Sequence, residues 1–198
     1  KRYPDLATRG NGQTILAEYK RRTLGKQAIP DKVYKTIVID PPWPVEKIIR
    51  KVVPINQQYD FEYDVMTLEE IEALPVPNLA DKDGCHIYLW TTQKFISAAF
   101  NILKQWGTNY IFTLVWHKNG GFQPFGLPQY NCEFVLFGKI GNLPFLTTKA
   151  FNCCFGGKRR EHSRKPTEFD DLVRRVSPEP RLEWFGRELK AGFDTIGA

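Results

Sequence analysis

The tetrapeptide Asp40-Pro41-Pro42-Trp43 gathers three kinds of group that suit the handling of an exocyclic amine on a flat heterocycle. A carboxylate accepts a hydrogen bond from an N–H. Proline has no N–H of its own, so its carbonyl is expected to be free to accept a second one. The indole of Trp43 offers a π-face for stacking. Two acceptors on one NH₂ draw its nitrogen toward tetrahedral geometry and localise its lone pair, which improves a poor nucleophile. Aligning that nitrogen with an electrophilic methyl group is then mainly a matter of positioning. The plain alternative is a rigid turn with an anchoring tryptophan.

Such a turn needs an element to present it. Residues 34–40 (YKTIVID) are β-branched and apolar enough for a strand buried on both faces of a parallel sheet, and no regular element continues through Pro41-Pro42-Trp43-Pro44. Residues 44–66 lack periodicity and read as a long loop. Thr67-Leu-Glu-Glu70 forms a capping box, which predicts a helix over 67–74. Strands are predicted at 85–90, 109–116, 132–138 and 181–185, the last breaking at Gly186. Helical spacing runs from 92 to 106 and closes at Gly107, and a further helix starts at Pro166. A Gly/Pro-rich loop fills 118–130, and residues 13–24 suit a short basic helix. This alternation argues an α/β sandwich with helices on both faces, in which ligands bind at the carboxyl ends of strands. Asp40 lies at one such end.

The 198 residues amount to about one domain. A hydrophobic fraction of 42%, with 14 Phe, 8 Tyr and 5 Trp, excludes a disordered chain. A chain opening on Lys1 rather than Met is expected to be part of something longer. No apolar run is long enough for a membrane span, and no signal-peptide pattern opens the sequence. Cys85, Cys132, Cys153 and Cys154 form no CxxC, and His86, His117 and His162 form no paired motif, so no metal site is expected. A reduced intracellular compartment is the simplest expectation. The net charge of +6 is local: residues 1–26 carry +5, residues 158–165 (KRREHSRK) carry +4, and the rest is mildly acidic. Localised basicity suits phosphate contacts, and a solvated surface is the alternative.

In their order along the chain, these motifs resemble the N6-adenine methyltransferase family typified by the catalytic subunit of the messenger-RNA adenosine methyltransferase. The resemblance covers about 34–197. It rests on Asp40–Trp43, Tyr63-Asp-Val-Met66, Ile87-Tyr-Leu-Trp90, Trp116-His-Lys118, Glu133 ahead of Phe-Val-Leu-Phe-Gly138, Arg160-Glu-His-Ser-Arg-Lys-Pro166 and Leu182-Glu-Trp-Phe-Gly-Arg187. The long loop 44–62 and Phe151-Asn-Cys-Cys154 look closest to the ciliate DNA adenine methyltransferase catalytic subunit. The resemblance implies a Rossmann-like class I methyltransferase fold, mostly parallel, permuted so that the catalytic motif precedes the cofactor motif. It also implies a domain over 31–198 behind a basic arm or helix at 1–30.

The resemblance further implies S-adenosylmethionine as cofactor and a role for each matching residue. Asp40 receives the target amine with help from the Pro41 carbonyl, Pro42 completes the motif, and Trp43 stacks on the base. Tyr63 and Glu133 border the adenine pocket, though each could be an ordinary loop aromatic or strand carboxylate. Lys165 touches the methionine end of the cofactor or the substrate, and Arg160 and Arg164 face substrate phosphates. So would Lys47, Arg50 and Lys51 in the other loop. Asp40, Lys165, Phe185, Gly186 and Arg187 hold the cofactor, while Glu183 could instead pair with a neighbouring basic residue. The sequence departs from the family at Glu188-Leu189-Lys190 and at Gly197-Ala198, where other members carry polar cofactor contacts.

The expected function is methyl transfer to N6 of adenine in DNA, as one half of a heterodimer with an inactive paralogue and with a nuclear location. RNA adenosine methylation is one alternative. A catalytically silent nucleic-acid-binding partner is another, disfavoured by the intact tetrapeptide. A small-molecule methyltransferase is disfavoured by the basic loops.

Overall fold

Thr36–Ile39, strand β1, is buried at all four residues and pairs in parallel on both sides, as an apolar β-branched run demands. Its neighbours are β2 (Cys85–Thr91), buried along its whole length, and β6 (Arg181–Trp184). The computed structural model describes residues 30–44, 65–119, 130–158, 165–186 and 188–197. The basic helix expected at 13–24, most of the loop at 44–66 and most of the loop at 118–130 lie outside these.

The remaining strands are β3 (Asn109–Asn119), β4 (Cys132–Ile140), β5 (Cys154–Lys158) and β7 (Asp194–Ile196). They complete one seven-stranded sheet in the order β5-β3-β4-β2-β1-β6-β7. Only β4 runs against its neighbours, as the return arm of a hairpin with β3. The fold is therefore Rossmann-like, with a mixed, mostly parallel sheet.

Three helices cover one face: α1 (Leu68–Glu72), α2 (Val76–Leu79) and α3 (Ile96–Gln105). The predicted capping box is present, with the Glu70 amide donating to Thr67 Oγ1 at 3.2 Å and the Thr67 amide donating to Glu70 Oε2 at 2.7 Å. Helix α3 starts four residues later than its apolar spacing suggests. Gly107 closes it at φ +66°, a left-handed conformation that glycine adopts without strain. Ile71, Val76, Leu79, Ala99, Ile102 and Leu103 pack on Ile37, Ile39, Ile87 and Leu89. The other face is covered by α4 (Thr167–Val176), whose Phe169, Leu172, Val173 and Val176 meet Val38, Tyr88, Trp90 and Trp116. Helices on both faces match the expected sandwich.

Two strands and one helix escape the sequence pattern. β5 is glycine-rich and, among the described residues, pairs only with β3, β7 has three residues, and α2 is a single turn. Neighbouring strands, rather than propensity, fix the first two.

Beneath α4 lies a fully buried polar network. Because the Leu143 carbonyl only accepts, His86 Nε2 carries the proton and donates to it at 3.0 Å. Nδ1 therefore accepts from Ser177 Oγ at 2.8 Å, and Ser177 Oγ accepts from Tyr88 Oη at 2.7 Å. Burial, opposed by the Leu143 bond and assisted by the Lys139 charge, pushes the His86 imidazole down to about 4. An unfolded histidine takes up its proton near pH 6.5, so between pH 6.5 and 4 the unfolded chain binds more protons than the native one. Stability from this group is complete above pH 6.5 and declines by about 3 kcal/mol as the pH falls to 4. Urea unfolding of the wild type and of His86→Gln at pH 7 and pH 4.5 checks this. The pH-dependent loss should be largely absent from the variant, and equal losses in both proteins would assign it to other groups.

Candidate active site

Every strand except β4 delivers its carboxyl end to the same edge of the sheet. Since β4 runs the other way, it delivers its first residues there. Asp40 follows β1 at this edge, its amide donating to the Trp184 carbonyl of β6 at 3.3 Å. Glu133, the second residue of β4, sits opposite Trp116 of β3. Between them Trp90 near the end of β2 presents its ring. All three lie on the α4 face, because Asp40 shares the parity of Val38 and Glu133 that of Val135.

Lys165, two residues before α4, reaches across this edge. Its Nζ lies 3.1 Å from Asp40 Oδ2, 2.9 Å from Glu133 Oε2 and 4.5 Å from the centre of the Trp90 ring. Lys118 Nζ holds the other Glu133 oxygen and lies 5.0 Å from the Trp116 ring centre. The result is a chain of alternating charges, Asp40–Lys165–Glu133–Lys118, laid over two indoles. Burial disfavours the Lys165 ammonium, but the Asp40 and Glu133 charges outweigh it and raise its pKa, so the ammonium persists. Burial likewise disfavours the Glu133 carboxylate, and Lys165 and Lys118 overcome this and hold its pKa down. Side-chain exposure is 14% for Lys165 and 30% for Asp40, which makes Asp40 the more open member.

Two expectations about the tetrapeptide need correction. Trp43 is only 6% exposed and offers no open face to a base: it stacks on Phe95 at 5.3 Å and donates from Nε1 to the Trp90 carbonyl at 3.0 Å. It is the anchor of the turn. The proline carbonyls are not free either. Pro41 O accepts from the Trp43 amide at 2.9 Å, and Pro42 O accepts from the Met66 amide at 2.8 Å. Each retains one lone pair for a further donor. Accordingly, Trp43→Ala should lower stability by about 3–5 kcal/mol through loss of a buried aromatic. Trp43→Phe, which keeps the stack but orphans the Trp90 carbonyl, should cost about 1–3 kcal/mol. Chemical denaturation measures both.

Next to β1, the end of β6 makes a tight turn. Phe185 takes φ +66°, unusual outside glycine, and stacks on Trp184 at 5.9 Å. Gly186 donates to the Ile196 carbonyl at 3.1 Å, and a Cβ there would lie 2.4 Å from Thr195 Cγ2. The close approach explains the glycine. Glu183 does pair with a basic residue: Lys190 Nζ lies 2.6 Å from Glu183 Oε1 and 3.1 Å from Asp170 Oδ1 of α4. Burial raises the carboxyl pKa of both acids, more than Lys190 lowers them. Among the described residues, Glu183 Oε2 and Thr195 Oγ1 are buried without a partner.

Of the residues expected at the site, Asp40, Pro41, Pro42, Glu133, Lys165, Phe185 and Gly186 all lie along this edge, and Trp43 lies beneath it. Tyr63, Arg160, Arg164 and Arg187 lie outside the described residues, as do Lys47, Arg50 and Lys51. Sequence reasoning missed Lys118, Lys190 and Asp170. Lys118 belongs to the quoted Trp116-His-Lys118, but β3 was expected to stop at 116, which hid its register with β4. Among the described residues, no helix is long and apolar enough to cross a membrane, and no group of three His, Cys, Asp or Glu could hold a metal ion.

A sheet of this order, with Asp-Pro-Pro-Trp at the end of an inner parallel strand and a tight glycine turn on the neighbouring one, defines a domain of the Rossmann-like methyltransferase class. The MT-A70 family pattern matches residues 34–198, and the chain belongs to that family. It is similar to the type II methyltransferase M.MunI of a Mycoplasma species, 26% identical across 85% of this chain and 78% of that protein. It is also similar to a probable N(6)-adenosine-methyltransferase MT-A70-like protein of Oryza sativa subsp. japonica, 28% identical across 83% of this chain. An Arabidopsis thaliana N(6)-adenosine-methyltransferase MT-A70-like protein is 26% identical over the same share. The chain spans only 22% and 23% of those two plant proteins.

Proposed function

We propose that this chain transfers a methyl group from S-adenosylmethionine to N6 of adenine in DNA. The observation that carries the reading is the Asp40 carboxylate, partly open at the end of a buried inner strand and flanked by Lys165 and Glu133. Similarity to M.MunI across most of that protein's length favours DNA. The names of the plant relatives favour RNA adenosine, which is the second reading.

The turn after β6 suits the proposed cofactor. Beside Gly186, the Glu183 Oε2 acceptor and the Thr195 hydroxyl are buried with no partner among the described residues. S-adenosylmethionine brings donors in its ammonium, ribose hydroxyls and adenine amine. Asp40, Lys165, Glu183, Gly186 and Arg187 would hold it. When bound, it supplies an electrophilic methyl group on a positively charged sulfur.

Asp40 acts on the other reactant. Its carboxylate accepts a hydrogen bond from the adenine N6, and the remaining lone pair on Pro41 O or Pro42 O takes the second. The N6 lone pair is thereby aimed along the line of transfer. As the N–C bond forms the sulfur–methyl bond would break, its electron pair staying on a sulfur that becomes a neutral thioether, and the surplus N6 proton leaves toward the Asp40 carboxylate. Lys165 pairs with that carboxylate before the amine arrives and must then yield part of it, with Glu133 ready to retain the ammonium. A duplex adenine would have to leave its stack to reach this edge, whereas one in a single strand would not. Lys158, Arg159, Arg160 and Arg164 supply the basic stretch leading into Lys165, suited to backbone phosphates.

The test offers methyl-labelled S-adenosylmethionine with matched DNA and RNA oligonucleotides, with and without an inactive family paralogue as partner. Label on DNA adenine N6 supports the reading. Label on RNA alone would replace it by the second, and no transfer with any partner, alongside retained oligonucleotide binding, would leave a silent binding subunit.

A further inference from the structure

Lys190 stands apart from the Asp40–Lys165–Glu133–Lys118 chain, yet it is held as firmly as any of its members. Its ammonium bridges Glu183, the third residue of β6, and Asp170, the fourth residue of α4. A long lysine side chain drawn inward from a loop gives up rotamer freedom and hydration, so this bridge is a specific one. Its neighbour Leu189 is 84% exposed, which shows that the loop itself is not buried by apolar packing. The loop from Gly186 to Lys190 is fastened at both ends, by the Gly186–Ile196 hydrogen bond and by the Lys190 bridge. Lys190 uses only one oxygen of Glu183, and the other stays buried with no partner among the described residues.

We infer that Lys190 is a positioning residue for S-adenosylmethionine: it fixes the Glu183 carboxylate and the 186–190 loop before the cofactor arrives. This rests on the cofactor reading above. Through Asp170 the same ammonium ties the loop to α4, the helix that begins two residues after Lys165, so cofactor loop and catalytic lysine share one support. An acceptor already in place spares the cofactor the ordering that a free carboxylate and a loose loop would require.

The test compares wild type, Lys190→Met and Lys190→Arg by calorimetric binding of S-adenosylmethionine, by anisotropy with a labelled single-stranded oligonucleotide, and by urea unfolding. Lys190→Met should weaken S-adenosylmethionine about tenfold and the oligonucleotide by less than about twofold, and Lys190→Arg should recover most of the loss. Should Lys190→Met fail to fold, Lys190→Met/Asp170→Asn, which also removes a stranded carboxylate, is read against Asp170→Asn in the same way. Wild-type cofactor affinity in the folded variant, or equal losses for cofactor and oligonucleotide, would overturn the inference. Wild-type protein that binds the oligonucleotide but not S-adenosylmethionine would overturn the cofactor reading itself, an outcome separable from the other two.

Discussion

Asp40→Ala should lower methyl transfer by at least 10²- to 10³-fold, on the order of what is lost when a preorganised group at a reacting centre is removed. The fold should survive. Asp40 is partly exposed, its backbone amide bond to Trp184 does not depend on the side chain, and Lys165 keeps Glu133 as a counterion. Asp40→Asn should fall between wild type and alanine, since the amide oxygen still accepts one N–H but neither takes up the surplus proton nor holds an ammonium. Single-turnover transfer of labelled methyl, beside oligonucleotide binding, separates the two effects. Binding should change little while the rate collapses. A rate within a few-fold of wild type would move the reaction away from this carboxylate.

The second large effect belongs to Glu133. Two ammonium groups share its carboxylate, and all three side chains are mostly shielded from water. Glu133→Gln keeps the shape but strands Lys118 and leaves Lys165 with Asp40 alone. Breaking a largely buried ion pair in this way costs about 3–5 kcal/mol, and in a domain of this size each kcal/mol lowers Tm by about 2–4 °C. Removing one stranded charge as well, in Glu133→Gln/Lys118→Met, should restore part of the loss, as expected of coupled neighbours. Additive losses in the cycle would mean that the two residues do not act as a unit. The folded-state pKa of Glu133 is depressed, so its stabilisation is present above the unfolded value near 4.3 and is lost as the pH falls through the folded value. Glu133→Gln should lack that acid-side component. It should also slow transfer, because Lys165 then has no second carboxylate to which it can retreat from Asp40.

How far these features were legible in the sequence depended on whether a local pattern encoded them. The β-branched Thr36–Ile39, the Thr67/Glu70 box and the Gly107 stop are local signals, and all three are found in the structure. Asp40 at a strand end followed from them. The burial of Trp43 did not, because whether an indole faces solvent or Phe95 depends on a helix more than fifty residues away. Lys118 and Lys190 share that difficulty. A lysine looks solvated in any one-dimensional pattern, and only the antiparallel return of β4 and the approach of α4 bring carboxylates to meet these two. β5 and β7 are too glycine-rich or too short to declare themselves.

The inner place of β1 also has a consequence for synthesis. Thr36 pairs with His86 on one side but with Arg181 on the other, so one flank of the most apolar strand waits for nearly the whole domain to be made. Contacts of such sequence separation slow folding, and an unpaired apolar strand flank is an aggregation hazard in the meantime. The same late strand carries Glu183 and leads into the Gly186 turn. A nascent chain therefore displays Asp-Pro-Pro-Trp long before it owns the turn proposed to hold the cofactor, and closing the sheet and completing the site become a single late event.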